Sequence, residues 1–285
     1  MKNKLGLSVC NLLVSAIVMM AGNQVSGDIV DIVFGTNTAT INQVVFEGID
    51  SVGDSFMETQ NAPDNTGSIL AQSALLQSIT LSDSTVLENF SFLTPTVTNT
   101  TFPDTGVVEV FANGMAFQPG DSGFLDALAS VHSDNDLASY IRVDSASTVA
   151  SWNIEYGQAI DNSGYFLVQE RDGNTDFSLT ALDANGNTIG DTLAFDEPSY
   201  QWDTSIQNSL DPIDDAQSQE LVVVELALFN TTQDIHGFEI VDSGNADFKF
   251  SFASVAIEAV PEPGSGILLL FVACARMARR HRQTK

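Results

Sequence analysis

The sequence predicts an all-β body, an antiparallel β-sandwich or jelly-roll-like fold with few short helices. An N-terminal signal peptide and a short C-terminal membrane helix frame it. Three observations carry this reading. Short runs of alternating apolar and polar residues recur through the middle of the chain, turns rich in Gly, Asn and Asp separate them, and helical periodicity between them is scarce.

The front of the chain reads as a leader, residues 1–27. Lys2 and Lys4 precede an apolar stretch from Leu5 to Ala21 that only Ser8, Asn11 and Ser15 interrupt. This is the charged and then apolar order of a secretory signal. Cleavage after Gly27 puts Val25 and Gly27 at the −3 and −1 positions, and a cut nearer Ala21 is the alternative. Leu7-Ser8-Val9-Cys10 is not a lipidation site, because Val9 is too large and Cys10 comes before the apolar core is complete. No twin-arginine pair precedes the apolar stretch, which points to the general secretion route.

The body spans 28–259. Ser68 to Ile79 carries apolar residues at Ile69, Leu70, Leu75, Leu76 and Ile79, a spacing that predicts an amphipathic helix. Residues 61–67 and the Thr-rich 94–105, with Pro95 and Pro103, read as linkers. A division near residue 103 into two β-rich lobes stands beside one continuous sandwich. Val107 to Phe111 ends at Asn113-Gly114, a hairpin signal. Ser122 to Val131 predicts a second short helix, capped by Asp121 or Ser122.

Tyr165 to Gln169 runs into Asp172-Gly173-Asn174, and the alternating Phe177 to Leu182 meets Asp183-Ala184-Asn185-Gly186-Asn187. Leu221 to Phe229 is a long apolar run suited to a buried strand. Phe238 to Ile240 and Phe248 to Phe252 read as a last strand pair, with Val255 to Ile257 extending it. Gly173 to Leu179 echoes Gly244 to Phe250, each Gly-Asn turn leading into Asp-Phe and a strand.

The end of the chain, 260–285, has three parts. Pro261-Glu262-Pro263 cannot join a helix or a central strand and stays extended, a form that a protease cleft can hold. The apolar run Ile267 to Ala275 follows, and then a cluster of Arg276, Arg279, Arg280, Arg282 and Lys285. The order resembles the PEP-CTERM sorting signal of bacterial envelopes. That resemblance implies export, transient anchoring in the inner membrane with the arginines in the cytoplasm, and cleavage near the motif by an exosortase, a membrane-bound cysteine protease-like transpeptidase. It further implies delivery to the cell surface or the exterior. The run departs from a full span, since nine residues give about 13 Å against roughly 30 Å of hydrocarbon.

Charge sharpens the picture. The chain holds 10 basic and 37 acidic residues. Within 28–260 the only basic residues are Arg142, Arg171 and Lys249, and Glu262 is the only acid outside that span. Three cations against 36 carboxylates give the body a net charge of −33. Such a surface repels nucleic acid and anionic lipid, and it repels itself at low ionic strength. Cys10 and Cys274 both lie in the targeting ends, so the body has no disulfide, thiolate metal site or cysteine nucleophile.

The acidic turns point to Ca²⁺ as the candidate ion, since hard carboxylate and carbonyl oxygens suit it. The candidate ligands are Asp172, Asn174 and Asp176 at alternate positions, then Asp183, Asn185 and Asn187, and the cluster Asp211, Asp214 and Asp215. None completes an EF-hand loop, because Phe177 stands where the first would need Gly. His132 and His236 have no metal-ligand companion and read as surface or turn residues.

No nucleophile elbow, zinc-helix pair or phosphate loop occurs, so no catalytic residue is assigned and the body is read as non-enzymatic. For sugar stacking, Trp152, Ile154 and Tyr156 share one strand face, and Tyr165, Tyr200 and Trp202 are further candidates. The platform reading rests on Trp152, Tyr156 and Trp202 being exposed. The function expected is that of a surface or extracellular-matrix protein associated with exopolysaccharide. A carbohydrate-binding module and a polysaccharide-acting enzyme are the alternatives.

Overall fold

The computed structural model describes residues 27–255, except 34–35, 63–67, 89, 91–93, 103–106, 113, 145–148, 161–163, 172–175, 196–201, 210–217 and 243–245. The segments expected to be leader and sorting tail lie outside the described residues, Gly27 excepted. Among the described residues no helix is long and apolar enough to cross a membrane.

Strands dominate, and most pair antiparallel. In chain order they are β1 (Ile29–Ile32), β2 (Ile41–Asp50), β3 (Ser55–Asn61), β4 (Ile69–Leu81), β5 (Val86–Glu88), β6 (Thr96–Thr101), β7 (Val107–Ala112), β8 (Met115–Phe117) and β9 (Tyr140–Asp144). Then come β10 (Ala150–Ile160), β11 (Tyr165–Arg171), β12 (Phe177–Leu182), β13 (Thr188–Phe195), β14 (Trp202–Asp203), β15 (Ile206–Asn208), β16 (Gln219–Glu225), β17 (Ile235–Asp242) and β18 (Ala246–Val255). Among the described residues one α-helix, α1 (Phe124–Val131), precedes β9.

A six-stranded sheet runs β1-β13-β12-β17-β10-β6, and its β1–β13 pair is parallel. The larger sheet runs β14-β16-β11-β18-β5-β4-β2-β3, with β9 also on β18, then β7 and β8, and with β15 parallel to β4.

Two apolar cores show how these layers stack. One joins Trp152, Ile154, Leu179, Leu193 and Phe238 of the six-stranded sheet to Phe166, Val168, Val222, Val224, Phe248 and Phe250 of the larger one. The other joins Val44, Phe46, Leu76 and Ile79 of β2 and β4 to Leu167, Leu221, Val223 and Trp202. The strands β11 and β16 are therefore covered on both faces. This explains why β16 reads as an unbroken apolar run rather than an alternating one. Strands from both sides of residue 103 share a sheet, as β6 with β10 and β1 with β13, and residues up to Ser254 cluster as one unit.

Several expectations need correction. Residues 69–81 form the long strand β4, not a helix. The register of β4 against β2 slips at Ser78–Leu76 and at Ser73–Ala71. These bulges place an extra residue, Gln77 and then Gln72, on one strand. The buried positions become Ala71, Ala74, Leu76, Ile79 and Leu81, so alternating gaps of three and two imitate a helical stripe.

The stretch read as a Thr-rich linker contains edge strand β6. The apolar run 221–229 is a strand only to Glu225, and Leu226–Phe229 form a single 3-10 turn. β17 and β18 are not a hairpin; they lie in different sheets, with Phe238 and Phe250 meeting edge-on across the core at 5.6 Å. The cap of α1 is Gly123 at φ +89°, not Asp121 or Ser122. Asp121 Oδ2 instead accepts from the Gln118 N–H at 2.8 Å.

The hairpins fare better. β7 pairs with β8 through Ala112↔Met115, with Gly114 at φ +74° in the turn. β12 pairs with β13 across residues 183–187. The echoed Asp-Phe segments meet in space, because Phe177 stacks on Phe248 with centroids 4.0 Å apart.

Candidate functional site

The three cations of the body all lie on one face of the middle layer, each against a carboxylate. Register aligns Glu109 with Arg142 and Arg142 with Asp247, and places Gln169 beside Lys249 on the neighbouring strand. Arg142 pairs with Glu109. Arg171 pairs with Asp247 at 2.5 Å, with side chains 6% and 14% exposed. Lys249, 2% exposed, pairs with Asp134 at 2.6 Å. Rings fill the space between the arginines: Arg142 sits 5.5 Å over Phe111, Phe111 stacks on Tyr140 at 4.7 Å, and Arg171 lies 5.1 Å over Tyr140. Removed from water, each guanidinium gains from both its carboxylate and the π-face beside it.

Lys249 is the most enclosed of the three, and its partners all come from the connection between α1 and β9. Nζ donates to Asp134 Oδ1 at 2.6 Å, to the Asp136 carbonyl at 2.5 Å and to Ser139 Oγ at 2.9 Å. Ser139 Oγ donates to both Asp134 oxygens, at 2.8 and 3.0 Å, and the Asp136 N–H donates to Oδ1 at 3.1 Å.

The connection folds this way because Asp134 and Asp136 each bond to the backbone two residues on, the habit of Asp in turns. It is also strapped to β4. Asn135 and Leu76 exchange bonds, Leu137 N–H donates to Ala74 O at 2.7 Å, and Ala74 N–H donates to Asp136 Oδ1 at 2.7 Å. Burial pushes the Asp136 carboxyl above the usual carboxylate range, although Lys249 pulls the other way. Gln169 Nε2 closes the far side, donating to Leu137 O, Ser139 O and Gln219 Oε1.

His132 begins the same connection and is buried at 1% exposure, not on the surface. It accepts from Trp152 Nε1 at 3.4 Å and lies 4.5 Å from the Phe250 ring. Burial, and then the charge of Lys249, hold its imidazole down at a pKa of about 3, so the ring is neutral at any ordinary pH.

The sugar-platform residues are corrected by this geometry. Trp152 is fully buried, Tyr156 is 4% exposed and Trp202 is 5% exposed. Alternation on β10 does place Trp152 and Tyr156 on one face, but β10 lies inside its sheet and that face meets β18. Trp152 stacks on Phe248, and Tyr156 meets Phe252 edge-on. Burial raises the Tyr156 hydroxyl far above the ordinary tyrosine range. Trp202 Nε1 donates to Gln60 Oε1 at 3.2 Å in the second core.

Of the calcium candidates, Asp172, Asn174 and the 211–215 cluster lie outside the described residues, and Asp176 is exposed at the start of β12. Asp183 is occupied by its own hairpin. Its carboxylate accepts from the N–H groups of Asn185 and Asn187 at 2.8 and 2.9 Å, which holds its pKa below the usual range. Among the described residues no cluster of three metal-ligating side chains forms. Pro261, Glu262, Pro263, Arg276, Arg279, Arg280 and Arg282 lie outside the described residues.

An open cleft of about 410 Å³ lies between the end of β6 and the start of α1, bordered by Thr100, Phe102, Pro119, Asp121 and Asp126. Phe102 is half-buried there and packs edge-on against Phe124 at 5.4 Å.

No family model matches the chain, and no curated protein does. Among solved structures, the enzymatically active domain of tailspike protein 4 from bacteriophage CBA120 aligns at 14% identity and a TM-score of 0.27. The alignment covers 56% of this chain and 18% of that one.

Proposed function

We propose that the chain is an exported, non-enzymatic component of the bacterial surface or extracellular matrix. In this reading an exosortase sorts it through Pro261-Glu262-Pro263, and it associates with exopolysaccharide. The observation that supports it is the withdrawal of Arg142, Arg171 and Lys249 into buried ion pairs. The surface left behind is carboxylate-rich and lacks cations of its own. Such a surface holds neutral glycan by hydrogen bonds and anionic glycan across bridging divalent ions, and it stays apart from nucleic acid. The inward-facing tryptophans favour a scaffold over a stacking lectin.

The test follows the protein in its own cell. Replacing Pro261-Glu262-Pro263 with alanines leaves full-length protein in the inner membrane, while the unaltered chain sediments with extracellular polysaccharide and is released by chelator. Normal delivery of the alanine variant overturns the sorting role, and absence of the unaltered chain from the matrix overturns the association.

The second reading, a carbohydrate-binding or polysaccharide-acting body, draws on the cleft at Phe102. A half-buried ring beside Asp121 and Asp126 is the kind of concave, mixed surface that takes a sugar. Glycan binding lost in Phe102→Ala would favour it.

A further inference from the structure

We propose that Lys249 and Asp134 condense into an intramolecular isopeptide bond that ties the last strand, β18, to the connection between α1 and β9. The proposal stands on geometry independent of the sorting signal. The amine and the carboxyl are 2.6 Å apart, 115 residues apart in sequence, and the lysine is 2% exposed. Holding two reacting groups in contact removes the entropic barrier that keeps free amines and carboxylates from condensing in water.

The atoms balance without a co-reactant. A new bond joins Nζ to Cγ, and the Cγ–Oδ2 bond breaks. Of the three ammonium protons one stays on the amide nitrogen, and two leave with Oδ2 as water. One positive and one negative charge vanish together.

The neighbours fit each step. Ser139 Oγ accepts from Nζ at 2.9 Å and donates to Oδ2 at 3.0 Å, so it can carry a proton from the nitrogen to the departing oxygen. The Asp136 N–H donates to Oδ1 at 3.1 Å, where charge develops as the nitrogen adds. The Asp134 side chain is 28% exposed, which gives the released water a way out. With no cysteine between residues 28 and 260, this is a covalent staple available without an oxidant.

Mass spectrometry of the mature, exported protein tests it, with the leader cut fixed by N-terminal sequencing. The folded chain should weigh one water less than its sequence, and digestion should yield a branched peptide joining Asp134 to Lys249. Lys249→Arg should restore the full sequence mass. Asp134→Asn should lose one ammonia instead and reach the same product mass. Ser139→Ala should slow the condensation while leaving the lysine in place. A folded wild-type chain of full sequence mass overturns the proposal even if every variant fails to fold. So does a lost water that persists in Lys249→Arg.

Discussion

His132 offers the sharpest test of the packing, because its burial turns pH into a stability probe. In the folded chain its pKa is about 3, pressed down first by burial and then by the Lys249 charge for as long as that amine is uncondensed; in the unfolded chain it returns to about 6.5. Between those values the unfolded state holds a proton that the folded state refuses, so lowering the pH favours unfolding. Stability is complete above the unfolded value and falls as pH drops through the window. From pH 7 to about pH 4 the linkage removes about 3 kcal/mol, and the full effect, reached only below pH 3, is about 5 kcal/mol.

Other groups titrate in the same range. Asp136, raised by burial, contributes in the opposite sense. The comparison is therefore with His132→Phe, which keeps an aromatic ring among Trp152, Phe248 and Phe250 and cannot take a proton. Urea unfolding followed by tryptophan fluorescence, at steps from pH 7 to pH 4, gives both curves. The wild type should lose about 3 kcal/mol more than the variant across that range, even though the variant starts lower after losing the acceptor of Trp152. Parallel curves would mean that His132 is not buried and neutral, and the account of this core would be wrong.

Two further outcomes follow from the same packing. Phe177→Ala should cost about 4 kcal/mol, because Phe177 stacks on both Phe195 and Phe248 where the two sheets meet. A loss under about 1 kcal/mol in denaturant melts would show the site collapsing freely, contrary to a close-packed core. Asp247→Ala should cost about 3 kcal/mol by leaving the Arg171 guanidinium enclosed without its carboxylate, and Asp247→Ala with Arg171→Met should regain part of that loss. A double variant no more stable than the single one would locate the cost elsewhere.

What could be read in the sequence was local chemistry. Asn113-Gly114 and the 183–187 turn announce their hairpins because a two-residue loop and an Asp bonding its own backbone are decided by neighbours in the chain. β4 misled because Gln72 and Gln77 are bulged, and a strand with two extra residues buries positions at mixed intervals. Trp152 and Tyr156 show a different limit. Alternation states which side chains share a face but not which face meets another sheet, and on β10 the aromatic face is the one turned toward β18.

The ion-pair stripe left only a faint trace. Arg142 and Lys249 alternate with apolar residues, as they would on a solvated strand. Their scarcity, three cations among 36 carboxylates, was the one hint that each had a fixed partner. Glu109 and Asp247 lie on strands, whereas Asp134, the partner of Lys249, comes from a connection that no strand pattern marks.

The seclusion of Arg142, Arg171 and Lys249 bears on resistance to digestion. Peptidases of the trypsin kind must seat a lysine or arginine side chain in a deep slot before they cut. Between residues 28 and 260 this protein offers them only three such residues, and all three are clasped inside the fold. While folded, it can sit among such digestive enzymes without giving them a foothold.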